Sequence, residues 1–551
     1  VARDPAWGTR GMVASSVGPA VEAGREILGR GGNAIDAAVA TAFAAGVAHP
    51  FSSGVGGGGF AVVHLGETGE TVALDAREVA PAAAHRDLFL GPDGVPSRTL
   101  SRVGGLAVAV PSLVAGLYEL HARYGTLPWR ELLEPAIRLA IEGVEIGPHP
   151  HRIMSHVAKD LPRFRETARI FLVDGEIPPL GHRLRQRDLA NTLQAIAEHG
   201  AEALRDGPYA RAIVDAVRAE GGVLSLRDLA SYTPVWRAPV RGTYRGHVVW
   251  SMPPPSSGGV HLVQMLNTLE AFDLRALGPG SSDAIHLLAE AMKLAYADRA
   301  VHMGDPAFHD VPVEWLTSKR YGRELAARIL PPASPRWPWS RSPVLRVERP
   351  GTPPPRDDAG TTHISVMDAQ GNAVSLTQTI NTLFGSLVTV GGTGIVLNNE
   401  MDDFAIAPNA PNAWGLLGSR ANEVAPGKRP LSSMTPTIVL RDDAPWIVAG
   451  SPMGPMIITA VLQAILGVVD FGMDVQTAVA APRIHHQWQP DVLVVEPAHP
   501  RDVVERLRAL GHPVEIRSMP IGAATLVVRD PETGILWGSE DPRRATAAAG
   551  Y

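Results

Sequence analysis

DDAGTTHISVMDAQGNAVSLTQT, running from Asp357 to Thr379, joins a Pro- and Arg-rich approach to two strand-like segments. TTHISVMD (Thr361 to Asp368) and AVSLTQT (Ala373 to Thr379) are rich in Val, Ile and Thr, which suit a pleated, half-buried surface. DAQGN supplies the turn between them, ending in Gly371 and Asn372. A register that sets Met367 opposite Ala373 sets Thr361 opposite Thr379. Opposed residues share a face with Cβ atoms about 5 Å apart, so the sequence predicts a contact between two hydroxyls.

That contact bears on the Gly360–Thr361 bond. Gly360 has no side chain to obstruct attack on its carbonyl. Scission there turns Thr361 into an N-terminal residue. Its α-amine, with an ordinary pKa near ~8, can take the proton of its own hydroxyl. One residue then supplies nucleophile and base, and an uncut Thr361 lacks that base. Taken alone, the stretch reads first as a surface linker joined to an ordinary hairpin.

The chain has 551 residues, enough for a large core and more than one lobe. A net charge of -6 with intermixed signs argues against a nucleic-acid partner. The absence of cysteine excludes disulfides and thiolate chemistry. The longest apolar run, MIITAVLQAILGVV (Met456 to Val469), falls short of the roughly 18 residues that span a bilayer and reads as a core helix. The chain starts at Val1 rather than Met, which fits removal of an upstream segment such as a secretion signal. The expected address is periplasmic or secreted.

Outward from the hairpin, a short strand and a helix with Pro19 in its first turn open the chain. A second helix, apolar from Ala34 to Val47, is expected to be buried all round. Gly56 to Gly59 lack a following P-loop Lys and imply close backbone approach instead. Arg77 follows a strand; it reads as a surface salt bridge with Glu78 or as a fork for a substrate carboxylate. VGGLAVAV reads as a strand, and a mostly helical region follows from Gly125 to about Leu330. Within it, a helix runs from Ser282, the expected N-cap, to Ala300. From Pro331 to Gly360 the sequence reads as an extended, exposed tail.

Past the hairpin, GGTGIVLNNEMDDFA predicts a strand ending in Asn398, Asn399, Glu400, Asp402 and Asp403, suited to a cation or a substrate amine. A long loop carries Trp414, exposed in the pattern. Ser432 and Ser433 precede a strand. The turn Gly450 to Gly454 can aim backbone N–H groups at an anionic oxygen. His485 and His486 are adjacent, so they do not easily ligate one metal. A helix from Arg501 to Leu510 and a final strand, AATLVVRD, close the chain.

Taken together, GGNAIDAAVATA, SSGVGGGGF, DAREVAP, MPPPSSGGVHLVQML, AEAMKLAYADRA, DAGTTHISV, LNNEMDDF, PGKRPLSSMTPTIV and GSEDPRR closely resemble the signatures of the γ-glutamyltranspeptidase family, in its order and over nearly the whole chain. The resemblance implies an α+β, four-layer αββα sandwich, the N-terminal nucleophile hydrolase fold. It implies scission into a large subunit, 1–360, and a small one, 361–551, that stay together as a heterodimer. Carried over by position, Thr361 is the nucleophile and Thr379 its hydroxyl partner. Arg77, Ser432 and Ser433 hold the α-carboxylate of a γ-glutamyl group; Asn381, Glu400 and Asp403 hold its α-amine. The N–H groups of Met453 and Gly454 form the oxyanion hole, and Trp414, where relatives often have Tyr, lies in a lid. The implied partners are a small γ-glutamyl donor, such as glutathione, and an amino-acid or peptide acceptor; no cofactor or metal is implied. The family usually has Gly where this chain has Met453, so the turn keeps negative φ or its geometry is altered. The nearest alternative is an amidase of the same fold, such as a β-lactam side-chain (glutaryl) acylase. A second is an uncut homologue that only binds ligands.

Overall fold

The computed structural model describes residues 4–329, 359–407, 411–544 and 546–551. The tail expected from Pro331 onward therefore lies outside the described residues except for Ala359 and Gly360.

The predicted hairpin is present, as strands Ala359–Asp368 and Ala373–Thr382. Met367 lies opposite Ala373 and Thr361 opposite Thr379, as the register required. Asp368 fixes that register. One carboxylate oxygen accepts the N–H groups of Gln370 and Asn372 at 3.0 and 2.9 Å, and the other accepts the Asn372 amide at 2.8 Å. Asp368 also accepts Ala34 N–H at 2.9 Å, at the N-terminus of helix Ala34–Ala48, where a negative charge suits the helix dipole. The turn and the buried helix are thus set together.

The hairpin lies inside an antiparallel seven-stranded sheet. Gly11–Ser15 flanks one strand and Gly58–His64 the other. A second antiparallel seven-stranded sheet, with Thr437–Arg441 and Ala444–Gly450 near its centre, faces the first. Alternation along the hairpin decides what meets what. Ile364, Val366, Val374 and Leu376 point outward into a core shared with helices Gly18–Gly29, Ala34–Ala48 and Trp129–Glu142. All of helix Ala34–Ala48 is buried, and its small side chains let helix Gly18–Gly29 approach closely; a Cβ on Gly24 would lie 2.2 Å from Thr41 Oγ1. Helices Gly258–Leu269, Ser282–His302 and Met456–Val469 form the layer beyond the second sheet, which completes the αββα order.

The opposite face of the hairpin, carrying Thr361, His363, Ser365, Ser375, Thr377 and Thr379, looks at the second sheet. Contact along these residues is polar, and at the turn end Met367 and Ala373 join the apolar core between the sheets. Ser375 donates to Ala449 O at 3.0 Å and Ser365 to Thr525 O at 3.1 Å. His363 sits between Thr377 and Ser365 at 2.8 and 3.0 Å, under a Gly450 whose missing side chain makes the room. Burial holds this imidazole neutral, its pKa lowered to about 3.

Several local expectations are corrected. VGGLAVAV forms a short 3-10 turn, Gly105–Ala107, and a single bridge from Val110 to Val79. GGTGIVLNN makes one isolated bridge, Thr389 to Val396, and enters a 3-10 turn at Glu400–Asp403. Asn398 explains why: its side chain bonds Gly56 O and Ala109 O and N, holding the segment against glycine backbone instead of a strand partner. The N-cap of helix Ser282–His302 is Ser281, whose hydroxyl accepts Ala284 N–H at 3.1 Å. AATLVVRD is not final: Leu536–Gly538 and Ala547–Gly550 add one strand to each sheet.

Candidate active site

At the Gly360 end of the hairpin the pairing slips. Gly360 lies opposite Asn381 and Thr361 opposite Thr379, so Ile380 has no opposite residue. Bulges of this kind re-aim side chains. Here the slip brings three oxygens together. Thr361 Oγ1 lies 3.1 Å from Thr379 Oγ1, and Thr379 Oγ1 donates to the Gly360 carbonyl at 2.5 Å. Asn381 N–H donates to Thr379 Oγ1 at 2.8 Å, with Asn381 at φ 73°. Because Thr379 gives its own proton to Gly360, it accepts from Thr361. The chain of donors runs from the Thr361 hydroxyl to the carbonyl beside it. Gly360 is required sterically, since a Cβ there would meet Thr382 O at 2.2 Å.

Beyond the hydroxyls lies a buried ionic cluster. Arg77 is 1% exposed, and its two terminal nitrogens ion-pair with Glu400 and, at 2.5 Å, with Asp403. Its Nε donates to Pro430 O at 3.1 Å. Three of its five N–H groups are engaged, leaving two. The expected pair with Glu78 is present but buried rather than at the surface. Glu78 is fully buried, 3.8 Å from Arg77, and among the described residues neither of its oxygens has a hydrogen-bond partner. Gly58 makes its room, since a Cβ there would lie 2.3 Å from the carboxyl. Burial raises the pKa of Glu78 to about 8 against the opposing pull of Arg77. It also raises Glu400 and Asp403, which Arg77 opposes by direct contact. Glu78, the farthest of the three from the guanidinium, keeps its proton near neutrality, while Glu400 and Asp403 are held in direct contact with Arg77. Burial works against the charge on Arg77 too, but the surrounding carboxylates more than offset it.

Ser432 and Ser433 enter from the side. Residues 255 and 257 of the Pro/Ser/Gly turn clasp Ser432: Ser257 N–H and Oγ donate to Ser432 O at 2.9 and 2.8 Å, and Ser432 N–H donates to Pro255 O at 3.0 Å. The sequence marked Glu78 only as a surface partner of Arg77 and did not single out Arg299. Arg299, on helix Ser282–His302, is 4% exposed and donates to Ser257 Oγ at 3.0 Å and Ser433 Oγ at 3.2 Å. Its only signal was its place in the AEAMKLAYADRA run.

The turn after strand Ala444–Gly450 closes the other side. Met453 takes φ 97° and Gly454 φ 51°. The positive φ that the sequence made costly for Met is therefore adopted. The side chain is held by burial among Met456, Val494 and Ile521. Among the described residues, neither amide N–H of this pair has a protein acceptor. Trp414 is half-buried, not exposed as expected. Its ring packs on Gly454, where a Cβ would lie 2.8 Å away, and its Nε1–H donates to Asn381 Oδ1 at 3.0 Å.

Arg77, Thr361, Thr379, Asn381, Glu400, Asp403, Trp414, Ser432, Ser433 and Gly454 thus line one cavity. Met453 contributes from behind the wall. The cavity measures about 20 Å³, room for one water, so a larger ligand requires its lining to move. His485 and His486 bond Thr459, Gln487 and Asp491 elsewhere. His286, Glu290 and His512 bring possible ligand atoms within 4.8 Å of one another, but the Lys293 ammonium lies 3.2 Å from Glu290 and takes the cation's place. No described helix is long and apolar enough to cross a membrane.

The family model for gamma-glutamyltranspeptidase matches residues 20–551. The glutathione hydrolase proenzyme of Escherichia coli (strain K12) is 43% identical over 99% of this chain and 93% of its own length. The acylase ACY 1 proenzyme of Pseudomonas sp. (strain V22) is 41% identical over 98% of this chain and 93% of its own. The crystal structure of cephalosporin acylase from Bacillus halodurans superposes with a TM-score of 0.85 at 30% identity, covering 100% of this chain and 97% of that one. Sequence and fold agree over the full length: the chain belongs to the gamma-glutamyltranspeptidase family.

Proposed function

We propose that this chain is a precursor that cuts itself between Gly360 and Thr361 and then transfers γ-glutamyl groups to water or to amines. In the first step Thr361 Oγ1 attacks the Gly360 carbonyl, whose oxygen Thr379 already polarises. The acyl group moves from nitrogen to oxygen, and water hydrolyses the resulting ester. This frees the Thr361 amine as base. In turnover the same hydroxyl attacks a γ-amide. The leaving amine takes the proton and a γ-glutamyl ester remains on Thr361. Water then releases glutamate, or an amino acid or peptide amine takes the acyl group. Met453 and Gly454 N–H groups receive the developing oxyanion.

The observation that carries this reading is the pairing of the Thr361–Thr379–Gly360 oxygen chain with buried groups of both charge signs in one cavity. Such a set of groups matches the charges of an α-amino acid head. The α-carboxylate meets Ser432, Ser433 and the two remaining N–H groups of Arg77. The α-amine meets Glu400, Asp403 and the Asn381 side chain. Glutathione, named for the Escherichia coli relative, carries such a head. The acylases share the fold, but Glu400 and Asp403 favour a substrate with an amine over a glutaryl group. A denaturing gel with a γ-glutamyl-p-nitroanilide assay tests the proposal. Two fragments split before Thr361, together with release of p-nitroaniline, are expected. One unbroken polypeptide that still turns over the anilide would overturn it.

A further inference from the structure

Arg77 is the cation that sequence reasoning assigned to the substrate carboxylate. In the folded chain its two terminal nitrogens already face Glu400 and Asp403. Arg299 differs. Its guanidinium is buried, and among the described residues no carboxylate lies within ion-pair distance of it. Its hydrogen bonds go to two hydroxyls, Ser257 Oγ and Ser433 Oγ. Asp403 is the acid whose field it feels.

The direction of each hydrogen bond follows from what a guanidinium is. Arginine only donates, so Ser433 Oγ accepts from Arg299. Ser432 Oγ accepts as well, from Met434 N–H at 3.1 Å. Among the described residues, neither Ser432 nor Ser433 gives its own hydroxyl proton to a protein acceptor. Both hydroxyls line the cavity. With a lone pair engaged from behind, each has a proton to direct at an anion in front. Ser257 joins the two, since it accepts from Arg299 and donates to Ser432 O.

The geometry points to Arg299 as the positioning residue that sets carboxylate selectivity at this site: it fixes Ser433, and through Ser257 the Ser432 backbone, as hydrogen-bond donors, and it supplies the positive charge that Glu400 and Asp403 neutralise on Arg77. This rests on the γ-glutamyl reading above and deepens it. Arg299 acts through the serines and touches no reacting atom. A helix that merely packs would place an apolar side chain here; a buried cation without an acid partner is costly unless an anionic ligand completes it.

The test compares three p-nitroanilides: γ-glutamyl, with both head groups; glutaryl, with the carboxylate alone; and 4-aminobutyryl, with the amine alone. In Arg299→Gln, kcat/KM for the two carboxylate-bearing compounds is expected to fall roughly tenfold or more, chiefly through KM, while the third is unchanged. Arg299→Lys restores part of the loss. The gel pattern of cleavage stays that of the wild type, which separates the effect from misfolding. Ser257→Ala, which removes one anchor of the guanidinium, shifts the same ratio less and serves if Arg299→Gln does not fold. An equal fall for all three compounds, or an unchanged ratio, overturns the inference. Wild-type protein inert toward all three overturns the proposed function and this inference with it; an active wild type with an unmoved ratio overturns this inference alone.

Discussion

The two ends of the cavity are built by opposite means. The end at Thr361, which the proposed function makes the reacting end, has no formal charge in the uncut chain. Two hydroxyls, a carbonyl and a pair of amides do the work, and the central contact joins residues 18 apart in sequence. The recognising end is made of buried ions. Arg77 meets Glu400 across 323 positions, and Arg299 meets Ser433 across 134. Attack on a carbonyl demands position, and a strand register with one slipped residue supplies position cheaply. Reading a zwitterion demands charge, and buried charge must arrive with its counter-charges.

The contrast breaks most completely at Thr361. Thr361→Ala is expected to leave a single uncut chain with no turnover, since both depend on one oxygen. Two bands split at the same place would move the reacting end elsewhere. The next largest effect belongs to the ionic end. Arg77→Leu strands Glu400 and Asp403 together and is expected to cost about 3–5 kcal/mol of stability, read from the urea midpoint. An unmoved midpoint would mean that the cluster does not depend on its guanidinium.

Met453→Gly probes the border between the two ends through opposing terms. Removing a positive φ from a non-glycine residue relieves about 1–3 kcal/mol. Emptying a methionine-sized space among Met456, Val494 and Ile521 costs about 2–5 kcal/mol. The packing loss is the larger, so the variant melts lower by about 1–2 kcal/mol; a gain in stability would show that strain dominates. At neutral pH the smallest effect is expected from Glu78→Gln, since Gln is the neutral isostere of the protonated acid. Glu78 holds its proton to about pH 8 when folded, against 4.5 for its ordinary value. The folded chain therefore binds more protons between those limits, and the contribution is full below pH 4.5 and is lost as pH rises toward 8. The Gln variant should flatten the decline of melting temperature over that window. A slope identical to wild type would place the titration on another group.

What was legible in the sequence follows the same division. The hairpin, its register and the Thr361–Thr379 contact are local, and alternation plus one turn fixes them. Helix Ala34–Ala48 and helix Met456–Val469 were equally plain, because an apolar run without a polar face has one place to go. Arg77 was found, but its surroundings were not. Nothing in Arg-Glu as neighbours shows that both are buried, since burial comes from Glu400, Asp403 and the glycine at 58. Arg299 was hidden for a related reason: on helix Ser282–His302 it reads as an ordinary charged residue of the last turn. Trp414 looked exposed because its segment is polar, yet packing on Gly454 needs only the absence of one Cβ.

The ion pairing of Arg77 has a consequence for how fast a donor arrives. Arg77 and Arg299 stand against Glu400 and Asp403, with Glu78 protonated near neutrality, so cationic and acidic groups are matched in number and the pocket carries little net charge. A zwitterion is also neutral overall. Encounter then proceeds by diffusion without electrostatic steering, and KM should change little between low and high ionic strength.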